Sequence, residues 1–371
     1  MVAPETYALI CGGGTAGHVL PAIAIADALV ERGHEPASLH FVGSEGRIEA
    51  TLVPDAGYEV TLLPGRGIRR ALTLANLGAV AGILRAFVQA IALVRRRRPR
   101  VVVAMGGYAS VPCGLAAALW RVPIVVAEQN AVPGAANRLI ARFAKAAAVS
   151  FPDTPLPRAV VTGNPVRREV LEITKTGDQV VAKRELGAAP DRSLVLVAGG
   201  SLGARTLNVA VLDGLSKWAD RTDLTIRHVV GERDWEESVV ARPDLPPHGV
   251  DYSPVRYERA MPVALRAADV AVCRSGSSTC FELFAVGVPS VLVPSPNVTG
   301  DHQTANARYV ASAGAAVVVA DAELDGPRLV AEVDALLEDA DRRSAMARAA
   351  QSLARPRAAH DIADLVLKHA R

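Results

Sequence analysis

Residues 11 to 18 read Cys11-Gly12-Gly13-Gly14-Thr15-Ala16-Gly17-His18, a run of small residues closed by an imidazole. The run follows the apolar stretch Tyr7-Ala8-Leu9-Ile10 and opens into a helical pattern over Ala22 to Val30. A strand that turns on glycines into a helix leaves several main-chain N–H groups unpaired above the turn, and these suit an anion. Glycines also let the main chain approach a ligand closely, and Pro21 suits a first helical turn, where its missing donor is not needed. His18 then stands at the lip of the cradle. The spacing Gly12-x-Gly14-x-x-Gly17 by itself fits NAD, FAD, a nucleotide sugar or a purely structural turn.

A second copy of the plan appears at Leu194-Val195-Leu196-Val197-Ala198-Gly199-Gly200-Ser201-Leu202-Gly203-Ala204, followed by Arg205 and Asn208. Gly13, Gly14, Thr15 and Gly17 correspond to Gly199, Gly200, Ser201 and Gly203, and Asp27 falls opposite Asp213. Another cradle is expected where Val270-Ala271-Val272-Cys273 runs into Arg274-Ser275-Gly276-Ser277-Ser278-Thr279, with hydroxyl donors added to the main-chain ones. Glu282, in the helix that follows, is placed to accept hydrogen bonds from paired hydroxyls such as those of a ribose, or else to serve as a dipole partner of that helix. Met105-Gly106-Gly107-Tyr108 is a further glycine turn after a strand. Glu128-Gln129-Asn130 sets polar side chains after an apolar run, to bind a hydroxyl-rich ligand or to cap a helix.

The elements that must position these groups alternate. Short apolar runs at Ser38–Val42, Tyr58–Leu63, Val101–Ala104, Ile124–Ala127 and Val160–Thr162 are separated by helical stretches, which predicts a doubly wound parallel sheet with its ligand beyond the carboxyl ends of the strands. In the second half Thr225–Gly231 and Ser290–Pro294 read as strands and Met261–Ala268 as a helix. Gly163-Asn164-Pro165-Val166-Arg167 begins a hinge, and the weakly patterned stretch from Arg168 to Asp191 separates the halves. The tail from Asp321 is helical and charged, so Asp339-Ala340-Asp341 reads as solvated surface rather than as a metal signature.

The chain has 371 residues, half of them hydrophobic, enough for two cores, and its net charge of +3 gives no general case for nucleic acid. Cys11, Cys113, Cys273 and Cys280 form no Cys-x-x-Cys pair and sit in or beside apolar runs, which reads as buried, reduced thiols of a cytoplasmic protein. Met1 to Thr6 carries Pro4 and Glu5 where an export leader would be basic and then apolar. Val101 to Trp120 is uncharged, but Gly106-Gly107 and Pro112 divide it, which argues against a membrane span. Ala71 to Val94 is apolar on two sides, with Leu77, Val80, Leu84, Val88 and Ile91 on one stripe and Ile83, Phe87, Ala90 and Val94 on the other, and it ends in Arg95-Arg96-Arg97-Arg98. Such a helix either covers a sheet with a solvated basic end or rests one face on an anionic leaflet.

Taken together, these motifs resemble the MurG-type N-acetylglucosaminyltransferases of peptidoglycan synthesis, in order and over nearly the whole chain. The matching residues are Gly12 to His18, Met105 to Tyr108, Glu128 to Asn130, Gly163 to Arg167, Gly199 to Arg205 with Asn208, Arg274 to Gly276 through Glu282, and Asp301-His302-Gln303 with Asn306. The resemblance implies two Rossmann-like doubly wound α/β domains facing a cleft (GT-B type). It implies inverting transfer of N-acetylglucosamine from its UDP-sugar to the 4-hydroxyl of the muramoyl sugar on undecaprenyl-pyrophosphoryl-MurNAc-pentapeptide, with neither metal nor cofactor. By the same resemblance, Thr15, Ala16, Gly17, Asn130, Arg167, Ser201, Asn208 and Gln303 bind substrate, Ser277, Ser278 and Thr279 face the diphosphate, and Glu282 holds the ribose. His18, with an ordinary pKa of about 6.5, is the base that takes the acceptor's proton. Val255-Arg256-Tyr257-Glu258 departs from the family's more apolar uracil-side segment.

The expected division is an acceptor domain over 1–166, a UDP-sugar domain over 167–355 and a C-terminal helix over 356–371 that packs back toward the first domain. The expected place is the cytoplasmic face of the cell membrane, held peripherally through 72–94 and Arg95–Arg98, with cell-wall synthesis proteins as further partners. Two other readings share part of the pattern. One is another metal-free enzyme of UDP-N-acetylglucosamine, an epimerase or a transferase onto a small aglycone. The other is an NAD-dependent oxidoreductase, for which Glu45 comes three residues late as the ribose acid and the second glycine loop has no use.

Overall fold

The computed structural model describes residues 5–64, 75–200 and 203–371, with the main chain alone described over 75–81. The chain divides into two units, one made of 1–167 with 355–371 and one of 168–354.

Unit 1 is built on seven strands: β1 Ala8–Gly12, β2 Leu39–Ser44, β3 Glu59–Leu63, β4 Val101–Gly106, β5 Ile124–Glu128, β6 Ala146–Val149 and β7 Ala159–Val161. They form one parallel sheet in the order β3-β2-β1-β4-β5-β6-β7. The reversal between β1 and β4 is the switch point at which such sheets open a crevice. Residues alternate between faces, as strand geometry requires. Leu9, Cys11, Val102 and Ala104 join a core with Ala86, Ala90, Leu93 and Val94 of the helix Ala75–Arg97 and Cys113 and Ala116 of the helix Ser110–Leu119. Ala8, Ile10, Val101 and Val103 face the other way, toward Ile25 and Leu29 of the helix Ala16–Glu31 and Ile362, Ala363 and Val366 of the helix Ala358–His369. The last helix of the chain thus completes the core of unit 1, and its Asp364 pairs with Arg32 at 2.6 Å.

Unit 2 repeats the plan with β8 Ser193–Ala198, β9 Leu224–Val229, β10 Asp251–Val255, β11 Val270–Cys273, β12 Ser290–Leu292 and β13 Ala316–Val318. The order is β10-β9-β8-β11-β12-β13, all parallel, with its switch point between β8 and β11. Val195, Val197, Val270 and Val272 pack against Leu207 and Val211 of the helix Arg205–Leu215 and Leu329 and Val333 of the helix Gly326–Glu338.

The stretch expected to separate the halves is instead two helices, Arg168–Thr176 and Gln179–Glu185, belonging to unit 2. Asp269 ties the second of them to the sheet, accepting from Lys183 Nζ at 2.7 Å, Gln179 Nε2 at 3.0 Å and the Leu194 N–H at 2.7 Å. Charge that reads as a linker is charge paired inside the unit. The first helix also starts earlier than its pattern indicates, at Ala16, so Pro21 lies inside it rather than in its first turn. Asp339 caps the helix Ala340–Leu353 through the Arg342 N–H at 2.8 Å, a structural use for one half of the Asp-x-Asp pair.

Candidate active site

In unit 1 the loop after β1 meets the loop after β4 at the switch point. Gly14 turns with φ +94°, and Gly107, φ +79°, lies so close to the first loop that a Cβ on it would stand 2.6 Å from the Gly13 carbonyl oxygen. Ser110 locks the two loops by donating to the Cys11 carbonyl at 2.7 Å while accepting from the Gly106 N–H at 3.0 Å. Thr15 is the N-cap of the helix Ala16–Glu31, and its hydroxyl lies 3.0 Å from His18 Nδ1, which fixes one edge of the ring. The other edge runs beside Gly106, where a Cβ would come within 3.2 Å of both His18 Nε2 and Asn137 Nδ2. The imidazole is half-buried, and an imidazole near its ordinary pKa is a group suited to proton transfer near neutral pH.

Glu128, at the end of β5, is buried and folds the next loop around itself. One oxygen accepts from the Asn130 N–H at 3.0 Å, the other from the Gly134 N–H at 3.0 Å and Asn137 Nδ2 at 2.9 Å. That leaves Asn130 half-buried at the loop's surface.

A carboxylate that the residue pattern did not single out sits under the first glycine loop. Glu49, 1% exposed, accepts from the Gly14 N–H at 3.0 Å and from the Ser44 N–H at 2.9 Å. The expected cradle is therefore corrected in part, because one of its N–H donors is already held by an anion of the protein itself. A pyrophosphate laid on this loop as in a dinucleotide site would meet that buried carboxylate.

Unit 2 presents the second pair of loops at its own switch point. Gly200 turns with φ +92°, much like Gly14, but the helix begins at Arg205 and Gly203 lies before it with φ +80°, whereas Gly17 is inside its helix. The repeat therefore holds for the turn and not for the last glycine. Asp27 and Asp213 each tie their helix to a later element, Asp27 accepting from the Tyr58 hydroxyl at 2.5 Å and Asp213 from the Gly326 N–H at 3.1 Å. Ser201 lies outside the described residues.

Asn208 is turned into the unit. It is 2% exposed, donates to the Val230 carbonyl at 3.0 Å and Asp234 at 3.1 Å, and its oxygen lies 3.0 Å from His228 Nε2. Its expected substrate contact is corrected to a brace beneath the loop, since every polar atom of its side chain is taken up inside the unit. His228, wholly buried, has its pKa pushed down to about 4 by loss of water, so it is a neutral ring in this brace. Arg233 beside Asp234 holds that carboxyl below the usual range.

After β11 the helix Ser277–Val286 starts on Ser277, Ser278 and Thr279, whose N–H groups have no partner within the helix. The hydroxyls of Ser277 and Ser278 are buried and bonded to no group among the described residues. Buried hydroxyls without partners cost free energy, about 1–3 kcal/mol each, unless a ligand takes them up. Glu282, one and a half turns on, is half-buried. The side-chain oxygen of Gln303 accepts from the Ser295 N–H at 2.8 Å, so an amide N–H is what it has to offer a ligand. Arg274 is drawn to Asp321 at 2.5 Å and to the Val293 carbonyl at 3.1 Å and stands as a strut. Arg167 ends the first segment of unit 1, half-buried. In the polar segment 255–258 Glu258 is buried against Arg227 at 2.6 Å, while Arg256 is exposed and pairs with Glu232 at 2.9 Å and Glu236 at 2.7 Å.

Residues 8–149 match the glycosyltransferase family 28 N-terminal domain and residues 194–362 its C-terminal domain. A relative from Desulforudis audaxviator, a UDP-N-acetylglucosamine–N-acetylmuramyl-(pentapeptide) pyrophosphoryl-undecaprenol N-acetylglucosamine transferase, is 39% identical over 97% of both chains. One of the same name from Nocardioides is 41% identical over 97% of both. The chain belongs to the MurG-type transferases of glycosyltransferase family 28. The crystal structure of Acinetobacter baumannii MurG superposes with a TM-score of 0.79 at 29% identity, covering 98% of this chain and 99% of that one. A UDP-N-acetylglucosamine 2-epimerase from Listeria monocytogenes shares the fold with a TM-score of 0.68 at 16% identity. The chain is thus a GT-B hexosyltransferase, and membership in this family sets aside the oxidoreductase and epimerase readings.

Outside these loops, the two-sided helix Ala75–Arg97 buries Ala86, Ala90 and Val94 and leaves Leu84 and Val88 exposed at 62% and 67%. Leu72 lies outside the described residues, as do the side chains of Leu77 and Val80. Arg97 is taken by Glu59 at 3.2 Å, while Arg95 lies over the Trp120 ring at 5.8 Å. Val88, Ile91, Arg95, Arg96, Arg98 and Trp120 line a hollow of about 710 Å³. No helix among the described residues is long and apolar enough to cross a membrane.

Proposed function

We propose that this protein transfers N-acetylglucosamine from UDP-N-acetylglucosamine to the 4-hydroxyl of the muramoyl sugar in undecaprenyl-pyrophosphoryl-MurNAc-pentapeptide, forming a β1,4 linkage with inversion. The observation that carries the donor half is the pair of buried hydroxyls, Ser277 and Ser278, that have no partner among the described residues, on a helix N-terminus at the switch point of unit 2. Main-chain and hydroxyl donors of that kind stabilise the charge that grows on a departing UDP without help from a cation. Glu282 takes the ribose hydroxyls, and Gln303, with Ser201, contacts the sugar-nucleotide. In unit 1, His18 Nε2 takes the proton of the attacking hydroxyl while Thr15 holds Nδ1. Thr15, Ala16, Gly17, Asn130 and Arg167 complete the sugar-side contacts.

The acceptor is a lipid, so the enzyme works at a membrane surface. The exposed Leu84 and Val88 beside Arg95, Arg96 and Arg98 support peripheral docking of unit 1 on the anionic cytoplasmic leaflet, each cation contributing about 1 kcal/mol. Cell-wall synthesis proteins would meet it there. Transfer of radiolabelled sugar from UDP-N-acetylglucosamine to a short-chain muramoyl lipid, with and without chelator, tests the reaction. Equal rates are expected. Loss of transfer under chelation, or turnover of a lipid-free acceptor alone, would overturn it.

A further inference from the structure

We infer that Glu49 is the residue that positions the catalytic loop of unit 1, acting through Gly14 and Thr15 on His18. The inference rests on the role of His18 as base. Two positions are shaped to seat this carboxylate. A Cβ on Gly13 would stand 2.2 Å from its Oε1 and a Cβ on Gly43 would stand 2.3 Å from its Cγ, so the carboxylate occupies the space that these two glycines leave and a side chain at either would push it aside. Gly43 belongs to β2 and Gly13 to the loop after β1, so Glu49 joins the ends of two adjacent strands. Its oxygens bridge the Ser44 and Gly14 N–H groups.

Burying a carboxylate is costly, and an apolar side chain of similar size would fill the space more cheaply were filling all that is needed. What an apolar group cannot do is hold the Gly14 N–H. That bond fixes the left-handed turn at Gly14 immediately before Thr15, the N-cap whose hydroxyl aims His18. A carboxylate is acceptor-only on both oxygens, whereas a glutamine would set an NH2 against one of the two N–H groups. The isosteric change therefore breaks one anchor while preserving volume.

The test measures transfer to the short-chain muramoyl lipid, with UDP affinity and thermal unfolding followed beside it, for Glu49→Gln, Glu49→Asp, Gly43→Ala and His18→Ala. A base displaced by an ångström loses about a hundredfold in rate. Glu49→Gln is expected to lower kcat by tenfold to a hundredfold with UDP affinity within twofold of the parent, and Glu49→Asp, still acceptor-only, to recover part of it. Gly43→Ala keeps the charge but pushes the carboxylate aside, so it lowers kcat as well. Combined with Glu49→Gln its loss should fall well short of the product of the two.

A kcat for Glu49→Gln within twofold of the parent overturns the inference, and so do losses that multiply in the double variant. Should Glu49→Gln not fold, Gly43→Ala and Glu49→Asp decide, and full activity in both overturns it. Retained transfer in His18→Ala would instead sink the base assignment itself.

Discussion

In the proposed reaction His18 and Glu282 carry opposite halves of the chemistry, and their substitutions should fail in different ways. Replacing His18 by alanine removes proton transfer, worth about 10²–10⁴ in rate, and leaves UDP affinity where it was. Single-turnover rates beside UDP titrations check this. Replacing Glu282 by alanine removes a charged hydrogen-bond acceptor worth about 1.5–3 kcal/mol, so the donor's KM should rise roughly tenfold to a hundredfold, and UDP binding should weaken in step. The sequence made both residues visible because each stands at a fixed offset from a strand and a glycine or serine turn. Glu49 was not visible in that way. Nothing in Gly46-Arg47-Ile48-Glu49-Ala50 distinguishes a buried carboxylate from a solvated one, since its partners come from Gly14 and from β2. Asn208 misled for the same reason, because an amide after a glycine loop reads as a ligand contact until Val230, Asp234 and His228 are seen to enclose it.

At the scale of elements, strands rich in valine and isoleucine were legible and alanine-rich ones were not. β4, Val101–Gly106, announces itself, whereas Ala146-Ala147-Ala148-Val149 has little intrinsic strand preference and becomes β6 because β5 and β7 offer it hydrogen bonds on both sides. The helix Ala75–Arg97 shows the converse, for its two apolar stripes were visible while only the structure says that Ala86, Ala90 and Val94 face the sheet. The outward stripe makes a prediction that belongs to this helix. Arg97 is paired with Glu59, so the cations available to a leaflet are Arg95, Arg96 and Arg98. Reversing the charge of Arg96 and Arg98 together should weaken binding to anionic vesicles at least tenfold in a sedimentation assay and leave UDP affinity unchanged. Unaltered sedimentation would leave the membrane face without support.

Over the whole molecule, each unit keeps a buried neutral histidine, His40 in unit 1 and His228 in unit 2, both with pKa pushed down to about 4. His40 loses water on burial and lies near the Arg97 cation, while Glu59 opposes both effects. The unfolded chain takes up their protons below about pH 6.5, so the stability they confer is complete above that pH and drains away as pH falls toward 4. His228→Gln should flatten that fall for unit 2, by up to about 3 kcal/mol between the two limits, as read from denaturant midpoints across pH. Ending the chain at residue 354 would strip Ile362 and Val366 from the core of unit 1, at about 1.5–3 kcal/mol each, and should lower the unfolding midpoint of unit 1 and not that of unit 2. The four cysteines extend this division into a clock. All are buried, Cys11 and Cys113 in unit 1 and Cys273 and Cys280 in unit 2, and burial pushes the Cys11 and Cys273 thiols up, the latter to about 12. It is the thiolate that attacks an alkylating reagent, so each pair can be tagged only when its own half opens. Mass spectrometry of maleimide-treated protein would then time the two halves separately, and UDP at a hundred times its Kd should slow tagging of Cys273 and Cys280 about a hundredfold while Cys11 and Cys113 keep their pace.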